Sequence, residues 1–501
     1  MIAHRIAAAL LCSASPVAAA QMNVDETGSH TVGLKPITVE QRAREVIEIV
    51  GGSSEMNARR YISESFSAAA LERVGKDDRL EDMEILRHEL GTITIDRIDR
   101  VSPTEAVAVV RSGLTGRLRA IAVEVDRSAP AKIADIGTPR TLSGQISKDL
   151  SDAQRVTMLD NFVSRLAKTG YFSGTVLLAR EGHVLHAKAY GLAERRFGVP
   201  NAVNTRFNLG SITKIFTAVA LAQLVERGRV SWDDTLNKYV PGFPNDAAAS
   251  QITLKHLLTH TSGLTNTPYP PGPRSPTRAL SVAELISEAP RNDLQWKPGT
   301  RYEYNNLGFL LLGRVIEVVS GQSYYDFVRD HVFKPAGMAT VGTDRYDFVT
   351  SLAYAYEPLP AWDRPSFVDG RLYVAPRAVP FGGAYSSAPD IFRFSEALRS
   401  GRLIRPSTLR TMASAHPELG APMRGLGFNV GSDDWVVGVG RKILGHGGNT
   451  AGVCTEWRQI EDAEAPYTFV VLSNSGQRAC FPVAEFILDL VPAENSQRKR
   501  R

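Results

Sequence analysis

Hydrophobic and polar positions along this chain predict two folded regions with different orders of elements. Apolar residues recur at helical spacing over 39–50 and again over 57–74. After residue 91 the apolar positions alternate in three strand-like runs, which cover residues 92–98, 105–111 and 117–125. Helices followed by antiparallel strands are typical of a small α+β domain, which we place at residues 38–138.

The second region starts near residue 150 and is richer in helices. It opens with a helix over 152–168, and a hairpin with the turn-forming pair Glu181-Gly182 follows. Strand patterns return only late, at residues 425–430, 435–444, 453–459 and 467–473, and a closing helix covers 482–490. Helices inserted between the first and last strands of one sheet predict a discontinuous α/β domain with an all-helical lobe over residues 150–490.

The start of the chain has the pattern of a secretory signal. Residues 1–20 comprise a short charged segment, an apolar run and small residues, and we expect cleavage after Ala20. A polar linker over 21–37 follows. No later stretch reaches the ~18 apolar residues that span a bilayer. We therefore expect an exported protein, periplasmic or secreted, without a membrane span.

Charge and histidine spacing exclude two classes of function from the prediction. The formal net charge is +5, part of which comes from the basic tail at residues 491–501, and no basic stripe with interleaved aromatic residues indicates nucleic-acid binding. His256 and His260 have the spacing of zinc ligands, but Leu257 stands where a metalloprotease motif needs glutamate. We expect neither a metal nor another cofactor.

The first candidate for chemistry is a serine and a lysine at the start of an apolar helical run. Ser211 and Lys214 are three residues apart, so their side chains lie on one helix face, a turn apart. A serine hydroxyl needs a neighbouring base to become a nucleophile, and a lysine can be that base if burial holds it neutral. The same spacing also occurs on many solvated helices.

Two later clusters strengthen the catalytic interpretation. Tyr304 and Asn306 place a phenol, which can relay protons, and a carboxamide, which can donate and accept, on one side of an extended or turn segment. The motif His446-Gly447-Gly448-Asn449 stands at the end of a predicted strand. Its glycines would let a substrate lie against the strand edge, where a free N–H can hold an oxyanion.

In this order the motifs resemble those of the serine β-lactamase and penicillin-binding protein superfamily, specifically its class C, carboxypeptidase and esterase branch. Supporting matches lie at residues 257–264, 382–387 and 425–428, and the resemblance covers about residues 150–490. It implies a β-lactamase/transpeptidase-like α/β (α+β) fold, in which helices flank an antiparallel sheet and form a separate lobe. The pattern over 38–138 is somewhat similar to NTF2- and cystatin-like modules.

The resemblance implies a role for each motif residue. Ser211 looks like the acylated nucleophile, Lys214 like the residue that deprotonates it, and Tyr304 like the partner base that passes the proton to the leaving group. Asn306 is similar to the amide that orients the lysine and touches the substrate. The oxyanion hole would consist of the backbone N–H groups of Ser211 and Asn449.

The motif at His446 departs from the pattern of most β-lactamases. Those enzymes have Lys-Thr-Gly where this chain has His446-Gly447-Gly448, and their ammonium helps to attract a substrate carboxylate. A histidine with its ordinary pKa is only partly cationic at neutral pH. Histidine here resembles the carboxypeptidase-like and esterase-like relatives, so acyl transfer is expected without a specific role in antibiotic resistance.

Two cysteines remain after the expected signal cleavage, Cys454 and Cys480. In an oxidising compartment they could form a disulfide, and two unpaired buried thiols are the alternative. On the fold that the resemblance implies, Cys454 begins a strand and Cys480 begins the closing helix, at the same end of the sheet. The resemblance thus implies a disulfide.

The resulting prediction is an exported, cofactor-free serine hydrolase that forms an acyl-enzyme on Ser211. Its expected partner is a small-molecule or peptide substrate, with D-alanyl peptides, β-lactams and small esters or amides as the candidates. Two alternatives stay open. The protein could be a penicillin-binding sensor that is acylated without turnover, or a degenerate hydrolase that serves as a non-catalytic binding protein.

Overall fold

The fold is described from a computed structural model. It describes residues 37–137, 140–141, 150–241, 243, 245–266, 280–287, 293–359, 366–370, 376–431, 442–461 and 465–491. The expected signal segment, the linker up to residue 36 and the basic tail from residue 492 lie outside these residues. In the part of the chain that is described, no helix combines the length and the hydropathy that a membrane crossing requires.

Four helices and a five-stranded antiparallel sheet make up the first region. The elements are α1 Val39–Gly52, α2 Glu55–Ser65, α3 Ala68–Arg73, α4 Lys76–Leu90, β1 Ile93–Ser102, β2 Glu105–Ser112, β3 Leu118–Val125, β4 Ile133–Ile136 and β5 Arg140–Thr141. The sheet order is β1-β2-β3-β4, with β5 also paired to β3, and α1 packs across β1, β2 and β3. Thr38 and Gln41 form a capping box that starts α1.

The helices of this region differ from the sequence pattern in two places. The single helix expected over 57–74 is two helices, because the backbone N–H of Ser67 donates to Ile133 O at 2.9 Å and the Ser67 side chain caps α3. The sequence pattern also did not predict α4. That helix has few apolar positions among many charged ones, and its buried residues gain their stability from packing in the first region's core.

The second region contains the remaining elements. They are α5 Asp152–Lys168, β6 Gly174–Arg180, β7 His183–Tyr190, β8 Leu192–Glu194, β9 Val199–Pro200, β10 Phe207–Asn208, α6 Thr213–Glu226, α7 Asp246–Ala249, α8 Leu254–Leu258, α9 Val282–Ser287, α10 Asn306–Ser320, α11 Tyr324–Val328, α12 Lys334–Ala336, β11 Tyr356–Leu359, β12 Ser366–Asp369, β13 Tyr385–Ser386, α13 Ala388–Arg399, α14 Pro406–Met412, β14 Asn429–Val430, β15 Ile443–Thr450, β16 Val453–Ile460, β17 Tyr467–Ser473 and α15 Phe481–Leu490.

A six-stranded antiparallel sheet organises this region, in the order β14-β15-β16-β17-β6-β7. Strands from the two ends of the region therefore share one sheet, as predicted, and β17 pairs directly with β6. Val470 and Leu472 of β17 join the core that contains α6, whereas Phe469 and Val471 join the core that contains α5 and α15. Helices thus cover both faces of the sheet, which confirms the predicted fold class.

The strand that holds the His446 motif continues further than the sequence pattern predicted. A strand over 435–444 was expected to end before the motif, but β15 runs from Ile443 to Thr450 and includes it, while residues 435–441 lie outside the described residues. Glycines at 445, 447 and 448 have no side chain to alternate between faces, so the two-residue period is not visible there. Pairing with β16 along the whole of β15 holds the segment extended.

The two regions contact each other through polar side chains. Arg119 of β3 forms a buried ion pair with Glu485 of α15 at 2.8 Å, and Arg165 of α5 donates to Thr115 O at 2.7 Å. That residues 38–138 form a domain of their own stays a prediction.

A disulfide joins Cys454, in β16, to Cys480, immediately before α15. The two Cα atoms are 5.4 Å apart, and both residues are fully buried. The bond connects the strand next to β15 with the helix that contacts the first region.

Candidate active site

The candidate nucleophile lies at the entrance to a helix that is buried on all sides. Ser211 is the middle residue of a single 3₁₀ turn at 210–212, and α6 follows directly. Residues 213–224 of α6 are all buried, so the helix has no polar face. A helix that is hydrophobic all round belongs in a core. Side chains at its first turn, Lys214 among them, are therefore removed from water.

Burial strongly affects the amine of Lys214. Its Nζ lies 2.9 Å from Ser211 Oγ and donates a hydrogen bond to Phe381 O at 2.6 Å. The side chain is 0% exposed, and burial alone holds its pKa well below the ordinary value. Burial therefore favours the neutral amine, and in that form its lone pair can accept the proton of the serine hydroxyl.

Tyr304 contacts the nucleophile from another element. Its phenol donates to Ser211 Oγ at 2.7 Å, and burial raises its pKa above the ordinary value. A phenol with a raised pKa stays protonated, so Tyr304 is a proton donor before the reaction starts. Ser211 Oγ thus lies within hydrogen-bond distance of both a buried amine and a protonated phenol.

Two residues that the sequence did not single out as functional hold Tyr304 in place. The His260 ring lies 4.5 Å from the Tyr304 ring, centroid to centroid, and His260 has a left-handed backbone with φ of 58°. Its Nδ1 accepts a hydrogen bond from the Asn305 backbone N–H at 3.0 Å. The Asn305 side chain caps α10 through Gly308 N–H at 2.9 Å. An asparagine before an apolar helical run is the signal that could have identified it.

Asn306 does not make the contact that the resemblance implied. It was expected to orient Lys214, but the hydrogen bonds of Lys214 go to Ser211 and to the carbonyl of Phe381. Asn306 begins α10, and its backbone N–H donates to Asn266 Oδ1 at 2.8 Å. Its Oδ1 is buried and has no hydrogen-bond donor among the described residues. A backbone carbonyl therefore replaces the expected amide, and substrate contact by Asn306 stays a proposal.

The backbone of β15 aims one N–H at the 3₁₀ turn. Gly431 N–H donates to Ile443 O, and Glu461 N–H donates to Lys442 O. The backbone N–H and C=O groups of odd-numbered residues in β15 therefore point towards β14, and those of even-numbered residues point towards β16. The N–H of Asn449 accordingly points away from β16. A Cβ atom added to Gly210 would be only 2.9 Å from that nitrogen. The N–H groups predicted to hold an oxyanion thus lie on neighbouring segments.

Gly448 permits this close approach. A Cβ atom there would overlap Leu209 O and lie 2.8 Å from the Ser211 nitrogen. Thr455, opposite Gly448 in β16, donates from its hydroxyl to the same Leu209 carbonyl at 2.9 Å. Only glycine leaves room at this position for the segment that precedes the nucleophile.

His446 is a neutral side chain in this site. It is 4% exposed, and burial, with Lys214 close by, holds its pKa well below the ordinary value. Its Nδ1–H donates to the Gly447 carbonyl. The partial positive charge expected from an ordinary histidine is therefore absent at neutral pH, and His446 cannot attract a carboxylate as an ammonium does.

A buried ion pair lies on the opposite face of the sheet from His446. Arg458 and Glu456, both in β16, are 2.8 Å apart, and their side chains are 4% and 2% exposed. A Cβ atom on Gly447 would overlap Glu456 Oε1, and one on Gly445 would be 3.0 Å from Arg458 Cδ. The glycines of the motif thus make room for the nucleophile segment on one face and for an ion pair on the other.

Replacing Glu456 with methionine is expected to lower the free energy of unfolding by about 3–5 kcal/mol, because it leaves the Arg458 charge buried without its partner. The double variant Glu456→Met/Arg458→Met is the matched control and should recover most of the loss. Urea unfolding of the three proteins measures both effects. A double variant as unstable as the single one would contradict this account.

No metal site is apparent around these residues. Within the described ranges, no group of three or more His, Cys, Asp and Glu side chains could hold a metal ion. His256 Nδ1 instead accepts a hydrogen bond from Thr253 N–H at 3.2 Å as part of the cap of α8.

The chain is similar to several known proteins. The sequence profile of the beta-lactamase family matches residues 159–490. A putative penicillin-binding protein, PbpX of Bacillus subtilis, is 32% identical over 256 residues, which are 50% of this chain and 61% of that protein. Esterase EstB of Burkholderia gladioli is 31% identical over 320 residues, 56% of this chain and 80% of the esterase.

A solved structure gives the same result for the fold. The penicillin-binding protein of Bacillus halodurans superposes with a TM-score of 0.53 at 27% identity, over 64% of this chain and 96% of that protein. The alignment to PbpX leaves more than a third of that relative unmatched.

Proposed function

This chain belongs to the β-lactamase family, and we propose that it is a serine hydrolase that forms an acyl-enzyme on Ser211 and releases the acyl group to water. One observation carries the proposal. Ser211 Oγ lies 2.9 Å from the Nζ of a fully buried lysine and 2.7 Å from a protonated phenol. A base and an acid thus meet at one nucleophile.

In the proposed acylation, Lys214 takes the hydroxyl proton while Ser211 Oγ bonds to the substrate carbonyl carbon. The carbonyl oxygen becomes an oxyanion, held by the N–H groups of Ser211 and Asn449. Tyr304 donates its phenolic proton to the departing alcohol or amine as the bond to that group breaks. The proton on Lys214 then passes to the Tyr304 phenolate, which restores the phenol and the neutral amine.

Deacylation reverses these roles with water as the nucleophile. Water loses a proton to the Lys214 and Tyr304 pair and attacks the acyl carbon. Ser211 Oγ leaves and regains a proton, which restores the free site. No metal or other cofactor enters the scheme.

For the substrate, we propose small esters or amides that do not need a cationic contact at the His446 position. A neutral imidazole supplies no charge to attract a carboxylate, whereas an ammonium would. D-alanyl peptides and β-lactams remain candidates, since one relative is named a putative D-alanyl-D-alanine carboxypeptidase and another a putative penicillin-binding protein.

We also propose that the protein is exported. Residues 1–20 have the pattern of a signal peptide, and a disulfide of two buried cysteines persists in an oxidising compartment. Mass spectrometry of protein recovered from periplasm or medium should show a chain that begins at Gln21. Recovery of the uncleaved chain in the cytosol alone would contradict export.

A substrate panel tests the proposed reaction. The protein is incubated with p-nitrophenyl butyrate, a fluorescent penicillin and a D-alanyl dipeptide, and each sample is examined by product release and by peptide mass mapping. We expect turnover of the ester and an acyl adduct on the peptide that contains Ser211. A stable penicillin adduct without turnover of any compound would instead favour the sensor. If neither turnover nor an adduct is observed, the hydrolase and the sensor are both contradicted.

A further inference from the structure

A tyrosine outside the sequence motifs lies behind the nucleophile. Tyr346 stands in a 3₁₀ turn at Tyr346–Phe348, between α12 and β11. Its hydroxyl donates to the carbonyl of Gly383 at 2.6 Å and accepts a hydrogen bond from Asn208 Nδ2 at 3.2 Å. Asn208 ends the strand β10, two residues before the 3₁₀ turn of Ser211.

These contacts form part of a closed ring of hydrogen bonds. Asn208 Oδ1 accepts from the Gly210 N–H at 2.8 Å. Gly383 N–H donates to the Gly210 carbonyl at 3.2 Å. Together with the two contacts of Tyr346, four hydrogen bonds connect Tyr346, Gly383, Gly210 and Asn208 in a circle. The ring joins the segment before the nucleophile to the segment that follows Phe381.

Both backbone segments in the ring depend on glycine. Gly210 and Gly383 have left-handed conformations, with φ of 50° and 86°. A glycine has more backbone freedom to lose than any other residue, and it has no side chain to anchor it. A Cβ atom on Gly383 would overlap the Tyr346 hydroxyl. The hydroxyl therefore occupies the space that a side chain would take and holds the glycine in its place.

Each segment orients one part of the proposed machinery. The peptide unit after Gly210 contains the Ser211 N–H, which is the proposed oxyanion donor. The segment at Gly383 follows Phe381, whose carbonyl accepts the hydrogen bond from Lys214 Nζ at 2.6 Å. A small rotation at either glycine would move an N–H or a carbonyl away from the position that the reaction needs.

We propose that Tyr346 is a positioning residue for acyl transfer, which acts through Gly210 and Gly383 to hold the oxyanion N–H of Ser211 and the carbonyl that orients Lys214. This inference rests on the proposed function. A second connection between the same segments runs through Thr213, whose hydroxyl donates to Gly210 O at 2.8 Å and accepts from Ala384 N–H at 3.0 Å. Loss of the Tyr346 hydroxyl alone should therefore leave the fold intact.

Removing the hydroxyl in Tyr346→Phe should lower kcat for p-nitrophenyl butyrate by about 10- to 100-fold, somewhat less than the direct loss of one oxyanion donor. KM should stay within about 3-fold, because the ring does not bind the ground state. Binding of phenylboronic acid, which forms a tetrahedral adduct on a serine nucleophile, should weaken in parallel with kcat. If Tyr346 had a purely structural role, its loss would change the boronate affinity and KM together.

Two companion variants sharpen the test. Asn208→Asp keeps the oxygen that accepts from Gly210 but loses the donor to Tyr346, so its kcat should resemble that of Tyr346→Phe. The double variant should lose no more than about 3-fold in kcat beyond either single variant. Tyr385→Phe is the control, since its hydroxyl contacts Asp344 at 3.2 Å outside the ring and should change little.

The possible failures are distinguishable. Tyr346→Phe with kcat and boronate affinity within about 2-fold of the wild type would overturn the positioning role while leaving the proposed function intact. An equal loss of kcat in Tyr385→Phe would also overturn the positioning role and leave the proposed function intact. Turnover that persists in Ser211→Ala would remove the proposed function itself, and the positioning role with it.

Discussion

Replacing Ser211 with alanine is expected to reduce ester turnover by about 10⁴-fold or more, because the acyl group of the proposed intermediate is carried on its hydroxyl oxygen. The variant should still bind substrate, since the N–H groups and the surrounding pocket are unchanged. Thermal unfolding should shift little, because alanine fits where serine was. Steady-state kinetics and peptide mass mapping should show loss of turnover together with loss of the acyl adduct.

Ser386 offers a matched control for this experiment. It is a buried serine in β13, the strand that pairs with β10 just before the nucleophile turn, and its Oγ has no hydrogen-bond partner among the described residues. Ser386→Ala should retain turnover within about 3-fold, as expected for a change that removes no hydrogen bond. Equal losses in both variants would show that Ser211 matters for the fold and not for the chemistry.

Lys214→Met is expected to abolish turnover and, at the same time, to raise the free energy of unfolding at neutral pH. The base would be lost, which costs about 10³-fold or more in kcat. Methionine has a similar length but no charge to lose on burial. In the wild type, folding favours loss of the lysine proton, because the pKa is about 10.4 in the unfolded chain and well below that in the fold.

The sign of the pH dependence follows from that difference. Between the folded and the unfolded pKa of Lys214, the unfolded chain binds one more proton than the folded protein. Wild-type stability therefore falls as the pH falls, by about 1.4 kcal/mol per pH unit relative to the methionine variant. Above the unfolded pKa the contribution vanishes.

Urea unfolding of both proteins at pH 7 and at pH 9 measures this effect. The stability gap between the variant and the wild type should be wider at pH 7 and should narrow towards pH 9. A gap that does not change with pH would show that Lys214 keeps its proton in the folded protein, and it could not then act as the proposed base.

The fold was predictable where side chains set a clear period. The helix α5 was placed at its observed bounds, because five buried residues recur at helical spacing and Ser151 and Gln154 form a capping box. The continuation of a strand through the His446 motif was missed because glycines in β15 hide the alternation. Local pattern thus identifies an element only where side chains, and not backbone pairing, determine it.

For the site, sequence motifs identified chemistry that side chains provide. Ser211, Lys214 and Tyr304 were found by residue type and order, and the structure brings their reactive atoms together, although their catalytic roles stay proposals. The Phe381 carbonyl could not be found in this way, because a backbone oxygen has no residue type. Tyr346 was missed for a related reason: its importance depends on a backbone ring closed by segments far apart in the chain.

The pairing of β6 with β17 in the six-stranded sheet has a consequence for how the protein folds. The strand β6 pairs with β17, from Gly174 opposite Ser473 to Arg180 opposite Tyr467, so the sheet cannot close until the late strands have been synthesised. Pairings of such high sequence separation make folding slow, because the intervening chain must be ordered before they form. Ser211 and Asn449 are also far apart in the chain, near the two ends of the segment between these strands. The proposed catalytic centre is therefore among the last parts to assemble, and a partly made chain holds its serine without the strand that completes the oxyanion hole.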